Sequence, residues 1–131
     1  MILEVTNPNA INDAPTFREL LDKAIEHSPW KGKDIYPEIS RLIADPSAGI
    51  LVSIEDTNKI VGLSITLLPS SVLDNTPQVA HIYNEGTVNA RKELVKGTVD
   101  FIHKAGYNRF WAINFTGKPD KVWSRAMQAE G

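Results

Sequence analysis

Between Thr76 and Gly106 the hydrophobic period changes once, and that change dictates a strand running directly into a helix. From Pro77 to Glu85, the residues Val79, His81, Tyr83 and Glu85 alternate with Ala80, Ile82 and Asn84, so the two sets are expected on opposite faces of a half-buried strand. Gly86 allows a sharp change of direction. From about Asn89 the pattern is helical: Leu94, Val95, Thr98, Val99 and Ile102, with Phe101 beside them, share one face, and Lys92, Lys96, Asp100, His103 and Lys104 share the other. Gly106 predicts a left-handed cap that ends the helix. A strand feeding a helix through a short turn leaves the helix's first N–H groups facing that turn. Such a geometry suits an anion, phosphate above all.

The rest of the chain supplies a sheet and its cover. Ile2 to Thr6 reads as a short strand closed by the turn residues Asn7, Pro8 and Asn9. Asn12 or Asp13 is expected to cap a helix with Pro15 in its first turn and Phe17, Leu20, Leu21, Ala24 and Ile25 on its inner face. A loop around Pro29, Trp30 and Gly32 leads to a shorter helix, Pro37 to Ala44, stopped by Asp45 and Pro46. Trp30, flanked by Lys31 and Lys33, stands either as part of a substrate lip or as an aromatic anchor on the core edge. Ile50 to Ile54 and Ile60 to Leu68, joined by five polar residues, predict an antiparallel hairpin in which Gly62 marks a bulge or a close backbone approach. Phe110 to Phe115 is a further strand, and Asp120 is placed to cap a last helix, Lys121 to Ala129. The order β-α-α-β-β-β-α-β-α is that of a mixed α/β (α+β) domain, one unit over residues 1–131, with helices on a central sheet. The strands on either side of the long helix are expected to be parallel, joined by a right-handed crossover.

Composition narrows the function classes. A formal net charge of −2 gives no field that would draw the chain to nucleic acid or to an anionic membrane. The absence of Cys excludes a thiolate metal site and a Cys nucleophile. No clustered carboxylate–His pattern suggests a metal. The first residues lack a basic segment followed by a long apolar run, and no stretch approaches the ~20 apolar residues that span a bilayer. The expectation is a soluble cytoplasmic protein.

Strand, turn, helix and the return strand KAGYNRFWAINF together resemble the central region of the GNAT superfamily of N-acetyltransferases. In that family the turn carries Q/R-x-x-G-x-G/A, whose backbone amides hold the pyrophosphate of acetyl-CoA. Counting back from Gly106, the motif falls on Gly86, Thr87, Val88, Asn89, Ala90 and Arg91. Here Gly86 replaces the Gln or Arg, Asn89 the first Gly and Arg91 the second Gly or Ala, so the likeness lies in the order and spacing of elements. The resemblance implies an acyl-CoA-dependent transfer of acetyl to an amine, with those six residues and Asn84 binding the cofactor. Glu85 is then the candidate base, with His81 and Tyr83 lining the same cleft. The Tyr that often protonates the leaving thiolate is replaced by Met127, and Asn89 can instead serve as a helix cap. The family's final hairpin would begin at Gly131, where the sequence stops. The resemblance therefore also admits a catalytically inactive structural or interaction protein, such as a phage virion or assembly component, with a protein partner or a second copy at the C-terminal sheet edge.

Overall fold

The computed structural model describes residues 1–55, 58–69 and 76–112. In chain order its elements are β1 (Ile2–Glu4), α1 (Ala10–Asp13), α2 (Pro15–Glu26), α3 (Tyr36–Ala44), β2 (Ala48–Ile54), β3 (Ile60–Leu67), β4 (Gln78–Asn84), α4 (Val88–Lys104) and β5 (Trp111–Ala112). The strands form one sheet in the order β1-β2-β3-β4-β5, antiparallel up to β4 and parallel between β4 and β5. The parallel pairing is the one expected of a strand–helix–strand unit. Of the predicted strand Phe110 to Phe115, Trp111 and Ala112 are paired; residues 113–131, with the expected last helix and the C-terminal sheet edge, lie outside the described residues.

Apolar side chains leave β2 and β4 on both faces, so both faces must be covered. Phe17, Leu20, Leu21 and Ala24 of α2 and Ile39 of α3 close over Ile50, Val52, Leu63 and Ile65 on one side. Leu94, Val95, Val99 and Ile102 of α4 close over Leu51, Val79 and Ile82 on the other. The result is a mixed α+β sandwich with helices on both faces of the sheet. A buried polar pair crosses the second layer, where Thr98 Oγ1 lies 2.8 Å from Ser64 Oγ and 2.7 Å from the Leu94 carbonyl.

Two irregularities redirect side chains. Opposite Ile65 stands His81, but opposite Thr66 stands Val79, so Ala80 is an extra residue in β4. Strict alternation put Val79 with His81 and Tyr83; the bulge instead turns Val79 to the α4 face with Ile82 and leaves Ala80 on the α2 face. The second shift lies in the β2–β3 hairpin, where Ser53 faces Gly62 but Ile54 faces Ile60. A Cβ on Gly62 would sit 3.0 Å from Leu94 Cδ2, so both features expected of this glycine occur together.

The helix starts differ from expectation. Residues 10–13 form a separate turn of helix, and α2 begins at Pro15 after Ala14, with no side-chain cap from Asn12 or Asp13. Asp13 accepts a hydrogen bond from Asn7 instead, at 3.2 Å. The end of α4 is as predicted: Gly106 has φ +97, its N–H donates to His103 O, and Tyr107 N–H donates to Ile102 O. This is the paired closure of a left-handed glycine cap.

Candidate functional site at the end of β4

Beyond β4 the chain makes its turn with bonds supplied almost wholly by itself. Asn84 Oδ1 accepts from Gly86 N–H at 3.2 Å, and Glu85 N–H extends the sheet ladder to Val61 O at 2.8 Å. Gly86 does not adopt a positive φ. Its missing side chain provides room: a Cβ there would lie 2.7 Å from Val61 Cγ2 and 3.0 Å from Glu55 Oε1. Thr87, in extended conformation (φ −70, ψ 169), is the cap of α4, with Oγ1 accepting from Ala90 N–H at 3.1 Å. Asn89, read from the sequence as a cap, is therefore already inside the helix. A hydroxyl two residues earlier wins because it alone precedes the first helical residue.

The first amides of α4 divide into three groups. Arg91 N–H is taken by Thr87 O at 3.0 Å. Thr87 N–H points to Glu55 Oε1 at 3.3 Å, a carboxylate delivered from the end of β2. Among the described residues no acceptor meets the N–H groups of Val88 and Asn89, and Val88 is 57% exposed. Arg91 adds a cation whose Nε is buried without a hydrogen-bond partner among the described residues. A buried charged donor without an acceptor is costly, and unbonded amides at a helix start favour an anion. This donor set suits a pyrophosphate; the Glu55 carboxylate beside it does not.

On the α2 face of β4 the three candidate catalytic residues fall at different depths. Glu85 lies at the rim, where Lys23 Nζ approaches its carboxylate to 3.3 Å and Tyr83 Oη donates to it at 3.3 Å. Tyr83 is half-buried and stacked on His27, with ring centroids 5.5 Å apart. Burial chiefly, then the charge and hydrogen bond of Glu85, pushes the Tyr83 phenol above its ordinary value, so it stays a proton donor. His81 is 1% exposed. Its Nε2–H donates to Ala24 O at 2.9 Å, and Trp30 meets its ring edge-on at 5.8 Å. Burial holds the imidazole below its ordinary value and hence neutral. The structure thus brings Tyr83 and Glu85 together and sets His81 beneath them in the core. Trp30 packs as a core-edge anchor, the second of the two roles its sequence context offered.

Two functional candidates were missed in the sequence, Glu55 and Lys23. The available signal was topological: in a β2-β3-β4 meander the β2–β3 turn must return beside the end of β4. Between α2 and the segment entering α3 lies an open pocket of about 350 Å³, with Asp22, Ile25, Lys33, Asp34 and Tyr36 in its lining. Asp22 and Tyr36 are hydrogen-bonded there, and the Arg18 guanidinium lies over the Tyr36 ring. Among the described residues no group of three or more His, Asp or Glu could hold a metal ion, and no helix is long and apolar enough to cross a membrane.

No family model matches the chain, and no curated protein matches it in sequence. Solved structures do. An aminoglycoside acetyltransferase from an uncultured soil metagenomic sample, in complex with trehalose, superposes with a TM-score of 0.70 at 16% identity, over 99% of this chain and 86% of its own. The ribosomal-protein-alanine N-acetyltransferase of Brucella melitensis gives 0.64 at 19% identity, over 95% and 88%. A GNAT family acetyltransferase of Staphylococcus aureus gives 0.65 at 14% identity, over 92% and 91%. The chain has the GNAT N-acetyltransferase fold. At these identities the likeness is one of fold, and the chemistry must be argued from the site.

Proposed function

We propose that this protein is an acyl-CoA-dependent N-acetyltransferase that transfers an acetyl group to an amine. The observation that carries the reading is the start of α4, where the N–H groups of Val88 and Asn89 and the buried Nε of Arg91 all lack acceptors among the described residues. Those groups would hold the pyrophosphate of acetyl-CoA, and Asn84 and Thr87 keep the turn in shape. The bound thioester supplies an activated acyl carbon. Glu85 is the group placed to accept the amine's proton, and the Tyr83 hydroxyl orients its carboxylate. Lys23 holds the same carboxylate, so its ammonium group must yield to the incoming amine. Neighbours described as acting on aminoglycosides or on a ribosomal protein make a primary amine the acceptor class to test.

The alternative is a GNAT-fold scaffold without catalysis. It is favoured by Trp111, which leaves 68% of its surface exposed on β5, the last strand of the sheet among the described residues. Calorimetric titration with acetyl-CoA separates the two. Saturable micromolar binding that weakens at least tenfold in Arg91→Gln supports the transferase; no heat and no thermal shift at millimolar ligand leaves the scaffold.

A further inference from the structure

Glu55 is a half-buried charged residue just after β2, and its carboxylate turns to the start of α4. Its backbone is pinned in the hairpin turn, with Glu55 N–H bonded to Lys59 O at 3.0 Å and Asn58 N–H to Glu55 O at 2.9 Å. From that anchored position the side chain reaches 32 residues along the chain, to Thr87 N–H at the start of α4. It lies beside Gly86, where a Cβ would stand 3.0 Å from Oε1 and 2.7 Å from Val61 Cγ2. The carboxylate therefore lies against the same turn whose next two amides are free and whose Arg91 Nε is buried without an acceptor among the described residues.

We propose that Glu55 is an internal anion that competes with a phosphate-bearing ligand for the start of α4. The inference rests on the acyl-CoA reading and deepens it. An anion at a helix start is favourable, and the chain's own carboxylate gains that interaction while no ligand is bound. A pyrophosphate at the same helix start would meet like charge at short range. Glu55 must then rotate away, which its side chain can do while the hairpin keeps its backbone bonds. The cost of that rotation and of the lost bond is subtracted from the affinity of every phosphate-bearing ligand. A Gln in its place keeps a hydrogen-bond acceptor for Thr87 and loses the repulsion. The competing account is that Glu55 is only a remote cap for α4, in which case its removal weakens the fold and leaves ligand affinity where it was.

The test titrates wild type, Glu55→Gln and Glu55→Ala with CoA and, in parallel, with pantetheine, which lacks the phosphates. Thermal melting confirms that each variant is folded, and the two variants guard against loss of either one. The expected result is CoA binding at least tenfold tighter in the variants, with pantetheine affinity unchanged within about twofold. Equal or weaker CoA binding in both variants overturns the proposal; if wild type still binds CoA, the acyl-CoA reading survives it. A gain shared equally by pantetheine also overturns it, because the effect would not be at the phosphates. Failure of all three proteins to bind CoA removes both the competition and the reading beneath it.

Discussion

Gly49 lies directly beneath the ring of Phe101: a Cβ added to Gly49 would stand 2.5 Å from Cζ and 2.7 Å from Cε1. The strand β2 and the helix α4 therefore meet where one partner has no side chain and the other has a large one. Glycine here serves packing rather than backbone freedom, because its φ is not positive. Gly49→Ala is expected to destabilise by roughly 1–3 kcal/mol through overpacking, a fall in Tm of roughly 4 °C per kcal/mol for a domain of this size. The double variant Gly49→Ala/Phe101→Leu should recover part of the loss. An unchanged melting temperature in the single variant would show that the ring moves aside freely.

Thr87 is the cap of α4 on the evidence of its extended backbone and its bond to Ala90 N–H. Thr87→Ala should cost about 1 kcal/mol and Thr87→Ser much less, since only the hydroxyl is needed. Thermal melting of the pair checks this. The backbone N–H that meets Glu55 is present in all three proteins, so equal losses for Ala and Ser would assign the effect to something other than the cap.

His81 sets a pH dependence whose sign follows from its burial. Desolvation, opposed by the bond to Ala24 O and helped by His27, lowers its folded value below that of the unfolded chain. Between the two values the unfolded state binds more protons, so stability falls as pH falls. The contribution is complete above the unfolded imidazole's value and is lost as pH drops through the folded one. His81→Gln should lower stability at neutral pH, yet flatten the acid limb relative to wild type. Urea melts between pH 5 and pH 8 measure the difference. Parallel curves for the two proteins would mean that His81 does not titrate on unfolding.

Much of the architecture was legible because it rests on periodicity. The inner faces of α2 and α4, the β2–β3 hairpin and the glycine cap at Gly106 each follow from local pattern, and local pattern is what a sequence displays. The face of Val79 was not legible. One extra residue, Ala80, reverses the alternation, and the pairing partner that creates the bulge lies in another strand. The site divides in the same way. The start of α4 could be placed by counting back from Gly106, and Glu85 by its position at the end of β4. Glu55 and Lys23 reach that site from 32 and 62 residues away, so only the folded sheet brings them to it.

Glu85 is held by two donors that would act differently during acetyl transfer. Tyr83 remains protonated and keeps its bond whether or not an amine is present. Lys23, at 3.3 Å, is a primary ammonium paired with Glu85, and it shares its charge with Glu19 at 3.9 Å. Both of its ion pairs are at the surface and worth little to stability. Lys23→Met is therefore expected to leave Tm nearly unchanged while lowering KM for the amine, since a competitor for Glu85 has gone. If Glu85 is the base proposed above, Glu85→Gln should lower kcat by roughly 100-fold or more while acetyl-CoA affinity holds, because the start of α4 is untouched. Steady-state kinetics with a primary amine, alongside acetyl-CoA titrations of each variant, separate the two effects. A Glu85→Gln protein with wild-type kcat would move the base elsewhere, and a Lys23→Met protein with raised KM would make Lys23 a binding group instead of a competitor.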